Sequence, residues 1–423
     1  MSHPVRTASG PARVARLGAA LALGLSLTLS GVVPAHAAAP QKFDPADCEA
    51  FQPRSPGREE NWAAERLQLE RAHRLATGDG ITVAVIDTGV DPRHLTFRDG
   101  QVTTLTFAPN EDQRAADCDH GTGVASLIGS QPNRDPDTSF VGVAPGVQIL
   151  ALRALPKGPP EDPSNADPGE TQALEPTVEA IDYAVDRGVD IISISQQGSD
   201  TPEYRAAVER AVRADILVVA AAGNLGNSSR ALYPAAYQGV MAVGMTTRQD
   251  IAPELSQHSP ELTVSVAAPG FPVLMLRPSA AGGRSYRSAS GTSFATPIVA
   301  GAAALVMERF PKMSAAQVKR RLEVTADAPP AAVPDAQLGW GIVNPFRALT
   351  DPMVGEPSQA AVPAPPGGPT PRSPYEREKP DHTNRNVAIA IAAGSIGAVL
   401  VAGVVAASLP AGRRRRWRPG DRG

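Results

Sequence analysis

Short apolar runs rich in β-branched residues recur through the middle of the chain, and stretches with helical spacing lie between several of them. The run 82–86 reads as a buried parallel strand, and 102–107, 147–152, 189–195, 216–221, 240–245 and 262–267 are further strand candidates. Helical spacing is clearest over 176–186 and 202–214. An earlier pattern over 62–76 offers Trp62, Leu67, Leu69, Ala72 and Leu75 as core contacts before Gly78-Asp79-Gly80 breaks it. Alternating strands and helices predict an α/β fold, with a mostly parallel sheet and helices on both faces. Residues 61–350 are long enough to bury a large core.

Both ends of the chain carry apolar stretches of another kind. Arg6, Arg13 and Arg16 precede the apolar run 17–29, and Ala35-His36-Ala37 supplies a small-residue cleavage site. Residues 1–37 therefore read as a secretory signal. Near the other end, 387–409 is uncharged and long enough to cross a bilayer as a single transmembrane helix. Arg413, Arg414, Arg415, Arg416 and Arg418 follow it, so the tail 410–423 is expected on the cytoplasmic side. The intervening 351–386 is proline-rich and short of core-forming residues, as befits a semi-extended linker. The expected layout is a folded body outside the cell membrane, held by one span.

Composition narrows the partners. A net charge of −3 leaves no basic footprint for nucleic acid. No run of acids has the spacing of a calcium-binding loop, and neither metal nor cofactor is expected. The two cysteines, Cys48 and Cys118, both lie in the exported part, where an even count favours a disulfide. Such a bridge would tether the extension 38–60 two residues before His120. In the chain-entropy model, closing a loop of this size stabilises by roughly 4 kcal/mol. The proline-rich stretch 153–176 reads equally as a functional loop or as a solvated insertion.

The candidate chemistry lies at the ends of elements. Asp87-Thr88-Gly89 closes the first strand, where open α/β sheets place their sites. Asp119-His120-Gly121-Thr122-Gly123 opens a helix. Ser290-Gly291-Thr292-Ser293-Phe294-Ala295-Thr296-Pro297 leads into an alanine-rich helix, whose free N–H groups suit a nucleophile that builds an oxyanion. The order Asp, His, Ser along the chain is that of the subtilisin triad. Asp91, His94, His73 and His258 lack such a motif; Asp119 reads as a helix cap, and Ser285, Ser288 and Ser290 as loop serines. Asn227, Ser228 and Ser229 read as turn residues.

These three motifs together resemble the signatures of the subtilisin-like (S8) serine proteases. The resemblance implies a subtilisin fold, with Asp87, His120 and Ser293 as a triad hydrolysing peptide bonds through an acyl-enzyme. It also implies Asn224, in Ala221-Ala222-Gly223-Asn224, as the oxyanion donor beside the Ser293 N–H. Ser195-Gln196-Gln197-Gly198 stands where many subtilisins read Ser-Leu-Gly-Gly and pair with substrate. Gln197 there is expected to narrow the cleft and make the enzyme selective. The layout of signal, tethered extension, protease, linker and span is similar to that of the mycosins, membrane-anchored subtilases of type VII secretion systems. That resemblance implies exported protein or peptide substrates and a secretion complex in the membrane as partner. A mainly structural role in such a complex, or a generic scavenging protease, are the alternative functions.

Overall fold

The computed structural model describes residues 40–52, 54, 61–108, 117–156, 174–228, 232–279, 283–330 and 333–353. The expected signal, span and tail, residues 354–386 of the linker and residues 157–173 of the long loop lie outside the described residues. Among the described residues no helix is long and apolar enough to cross a membrane.

Eight strands form one sheet. They are β1 (Gln41–Lys42), β2 (Thr82–Asp87), β3 (Val102–Thr106), β4 (Gln148–Arg153), β5 (Ile191–Ile194), β6 (Leu217–Ala221), β7 (Met241–Thr247) and β8 (Val266–Phe271), in the order β1-β3-β4-β2-β5-β6-β7-β8. All neighbours run parallel except β1, which pairs antiparallel to β3 through Gln41 with Thr106 and Lys42 with Leu105. In β2 the side chains alternate between two apolar layers: Val83 and Val85 enter one, Ala84 and Ile86 the other.

The first layer packs the sheet against α3 (Asp119–Gly129) and α6 (Thr292–Arg309), the second against α4 (Glu175–Asp186) and α5 (Pro202–Arg213). Helices therefore cover both faces. α6 is buried from Thr292 through Val306, as expected of a helix that is apolar all round. Its Gly301 permits this passage, since a Cβ there would lie 2.7 Å from the Val143 Cβ.

Three local expectations need correction. The 62–76 pattern is not one helix but α1 (Trp62–Arg66) and α2 (Leu69–Ala72), broken where Gln68 takes a left-handed φ of 52°. The break lets Leu67 and Leu69, two residues apart, both enter the core, while Leu75 is left 40% exposed. The run at 262–267 joins the sheet only from Val266, which pairs with Val243; Leu262 is tied instead to Ser259 in a local turn. Sequence reading also passes over the hairpin of β9 (Val273–Leu276) and β10 (Tyr286–Ala289) and the helices α7 (Ala315–Val324) and α8 (Pro345–Thr350), although α7 buries Ala315, Val318 and Leu322 at helical spacing behind a Ser314–Gln317 capping box.

The N-terminal extension follows the body closely. After β1, Phe43 is buried against Cys48 and Cys118, which form a disulfide with Cα atoms 5.5 Å apart. The chain then reaches the hairpin, where Phe51 N–H donates to Pro278 O and Arg54 N–H to Arg284 O. The Phe51 ring lies 3.5 Å beneath the Arg277 guanidinium.

Candidate active site

Parallel strands present their C-terminal ends along one edge, and three of those ends bear on the site. Asp87 is the last residue of β2, Ser195 follows β5, and Asn224 lies three residues beyond β6. α3 enters this edge with His120 in its first turn, and α6 begins there with Ser293 in its own.

His120 Nδ1 lies 2.8 Å from Asp87 Oδ1, an oxygen that also accepts the Thr88 N–H at 2.7 Å. Two glycines allow so close an approach of helix to strand. A Cβ on Gly121 would stand 2.1 Å from Gly89 O, and Gly89 itself has a φ of 118°. The Gly121 N–H also donates to Thr88 Oγ1 at 3.1 Å. The imidazole is thus fixed at one nitrogen, while Nε2 is buried with no hydrogen-bond partner. Burial disfavours charge on this ring, yet the charge of Asp87, its hydrogen bond and the charge of Asp117 prevail over it. The pKa is raised above the ordinary histidine value, with Arg287 acting in the opposite sense.

Ser293 is buried at the start of α6, with Phe294 stacked obliquely 5.1 Å from the His120 ring. Its carbonyl accepts from Ser195 Oγ at 2.8 Å, which ties the helix start to the end of β5. In this first turn the Phe294 N–H donates to the N-cap carbonyl, Gly291 O, at 3.1 Å. Asn224 stands alongside: its Oδ1 accepts from the Thr292 N–H at 2.9 Å and from Thr292 Oγ1 at 3.1 Å. With the oxygen so engaged, the amide nitrogen must face the other way. A Cβ at Gly291, whose φ is 154°, would lie 3.3 Å from Asn224 Nδ2 and 3.1 Å from Ser293 Oγ, so the amide nitrogen and the hydroxyl border the same small space, which a side chain there would fill.

Residues 78–341 match the model of the subtilase family, peptidase S8. The chain belongs to the subtilase family.

This subtilase is 33% identical over 397 residues to mycosin-4 of Mycobacterium tuberculosis, covering 85% of this chain and 83% of the relative. It is 35% identical to subtilisin DY of Bacillus licheniformis over 253 residues, 59% of this chain and 84% of the relative. Among solved structures, that of MycP1 from the ESX-1 type VII secretion system superposes with a TM-score of 0.59 at 27% identity. The match covers 76% of this chain and 98% of that one. The subtilase is thus a serine endopeptidase of the mycosin type.

The other residues singled out in the sequence fall into place around this site. In the Ser195–Gly198 segment, Gln196 is buried and donates through Nε2 to Thr177 Oγ1 at 2.6 Å. Gln197 is half-buried, and Gly198 exchanges two backbone hydrogen bonds with Tyr233. Asp91 is engaged by Arg93 at 2.7 Å, and His94 is buried beside Thr96 and Tyr286. Burial pushes the His94 pKa down to about 4, which keeps this ring neutral. Ser285 Oγ donates to Gln52 O, whereas Ser288 and Ser290 are exposed. His73 bonds Val143 O, and Asn227 and His258 form an isolated β-bridge.

Asp119 departs from expectation. The N-cap of α3 is Cys118, which makes no side-chain cap bond, and Asp117 Oδ1 accepts the Asp119 N–H at 3.0 Å. The carboxylate of Asp119 is taken instead by Arg277 at 2.9 Å and Arg287 at 2.8 Å. Sequence reading missed both arginines, because each is far from Asp119 along the chain and sits in a hairpin with no motif. Among the described residues, no group of His, Cys, Asp and Glu is arranged to hold a metal ion.

Proposed function

We propose that Ser293, His120 and Asp87 act as a catalytic triad in a membrane-tethered, extracytoplasmic endopeptidase that processes exported proteins. The Asp87–His120 hydrogen bond of 2.8 Å, with Nε2 left without a partner, carries this reading. Asp87 holds the proton on Nδ1, so Nε2 is the basic nitrogen and can take the Ser293 hydroxyl proton as Oγ attacks the scissile carbonyl. The oxyanion that forms lies between the Asn224 amide and the Ser293 N–H. The imidazolium then protonates the leaving amine, and water enters by the reverse route to release the acyl group.

Placement and substrate follow from the rest of the chain. The signal at 1–37 exports the body, the span 387–409 retains it, and the linker 351–386 sets it off the membrane. The type VII secretion system named for the similar MycP1 structure points to exported proteins as substrates and to a membrane secretion complex as neighbour. Gln197 narrows the edge along which a substrate strand pairs, so casein is cut slowly and few sites are used. Rapid, indiscriminate casein digestion by the purified protein would refute that selectivity.

The test of the chemistry is labelling by a serine-directed fluorophosphonate, which needs no knowledge of the substrate. Wild type is expected to label, Ser293→Ala not at all, and His120→Ala far more slowly. Labelling of Ser293→Ala at the wild-type rate would sink the assignment.

A further inference from the structure

Asp119 immediately precedes His120, and Arg287 lies in β10, whose last residue, Ala289, is followed by Ser290, Gly291, Thr292 and then Ser293. The Asp119–Arg287 ion pair therefore joins the segment that carries the proposed base to the segment that carries the proposed nucleophile. Asp119 Oδ2 meets Arg287 Nε at 2.8 Å, and Oδ1 meets Arg277 Nε at 2.9 Å. The Asp119 side chain is 11% exposed, and those of Arg277 and Arg287 are 24% and 19% exposed, so water screens these contacts less than an ordinary surface pair. Arg277 is further held by the Phe51 ring stacked on it.

We propose that Asp119 and Arg287 are positioning residues, whose ion pair sets the separation of His120 from Ser293. The proposal rests on the triad reading given above. Neither residue is placed to touch substrate in a reacting role; they act through the two elements they join. A spacing device of this kind has leverage, because displacement of a reacting group by about 1 Å can cost on the order of 10²-fold in rate.

The same pair bears on the charge around His120. The ionisable groups facing its ring are Asp87 from β2, Asp117 from the segment before α3, and Arg287 from β10; Asp119 and Arg277 complete the cluster. Asp119 offsets Arg287, which disfavours the imidazolium. Removing Asp119 exposes His120 to the uncompensated arginine and lowers its pKa. Removing Arg287 does the opposite.

The test measures the second-order rate of fluorophosphonate labelling against pH, on the full-length protein in mild detergent. Wild type, Asp119→Asn, Arg287→Gln and the double variant are compared. Each single variant is expected to label roughly tenfold more slowly, and the double variant no more slowly than either, as coupled partners require. The acid limb of the profile moves to lower pH in Asp119→Asn and to higher pH in Arg287→Gln. Arg287→Lys, which keeps the charge, retains the wild-type midpoint. If either single variant does not fold, the other alone decides, by its rate and the direction of its midpoint. Wild-type rates with unmoved midpoints, or a loss of thermal stability with neither changed, would overturn the proposal. Wild type that fails to label at any pH would remove the triad reading itself, an outcome distinct from the other two.

Discussion

At Asn224, Oδ1 accepts two hydrogen bonds from Thr292, which hold the amide in place. As the proposed oxyanion donor it would be held before substrate arrives, so its contribution would fall on the transition state, where the oxyanion develops. Asn224→Ala is expected to lower kcat by about 10²–10³-fold with little change in KM, as removal of such a donor does in a subtilisin. Steady-state kinetics on a cleaved peptide checks it. For His120, the pKa is raised in the folded protein, so the neutral ring that the proposed mechanism needs as base accumulates only above the ordinary histidine value of about 6.5. The acid limb of kcat/KM is accordingly expected above that value. In Asp87→Asn the charge that favours the imidazolium is gone, and the limb moves to lower pH. Activity there also falls, by about 10⁴-fold, because the tautomer is no longer held. An acid limb unmoved in Asp87→Asn would mean that Asp87 does not govern this ring.

Elements bring these residues together, and the sequence discloses them unevenly. Asp87, His120 and Ser293 each sit in a short motif at an element's end, and it is the resemblance of those motifs to the subtilisin-like proteases, not periodicity, that implies their convergence. The 62–76 stretch shows what periodicity misses: it gives a plausible apolar stripe but not the left-handed turn at Gln68 that breaks the helix. The β9–β10 hairpin is hidden for another reason. Its two strands are short, lie nine residues apart, and gain meaning only through Arg277 and Arg287 reaching Asp119. Long-range ion pairs leave no local pattern. Two predictions belong at this scale. Gly121→Ala would drive a Cβ against Gly89 O, with backbone on both sides and no flexible end to yield. It is expected to lose about 1–3 kcal/mol of stability in urea unfolding and to widen the Asp87–His120 contact, with activity lost beyond what the stability change explains. Replacing Cys48 and Cys118 together by alanine is expected to cost about 2–4 kcal/mol in the same assay, since the bridge closes a separation of 70 residues. No change in the unfolding midpoint would show that the extension is held by its other contacts alone.

On the scale of the whole molecule, the folded body carries the proposed site, and the proposed signal, linker and span would set where its chemistry happens. Truncation after residue 353 removes all but the first three residues of the proposed linker, with the span and tail, but none of the described residues. Such a protein is expected in the culture medium, with full fluorophosphonate reactivity; retention in the membrane fraction would count against the span at 387–409. The two apolar layers on either side of one sheet make the body a single support for Asp87, His120, Asn224 and Ser293. The account as a whole depends on which hydroxyl that support activates. Peptide mass spectrometry of the fluorophosphonate-labelled protein tests this most directly. One phosphonyl group on Ser293 is the expected result; a group on the exposed Ser288 or Ser290, or on no serine at all, would contradict it.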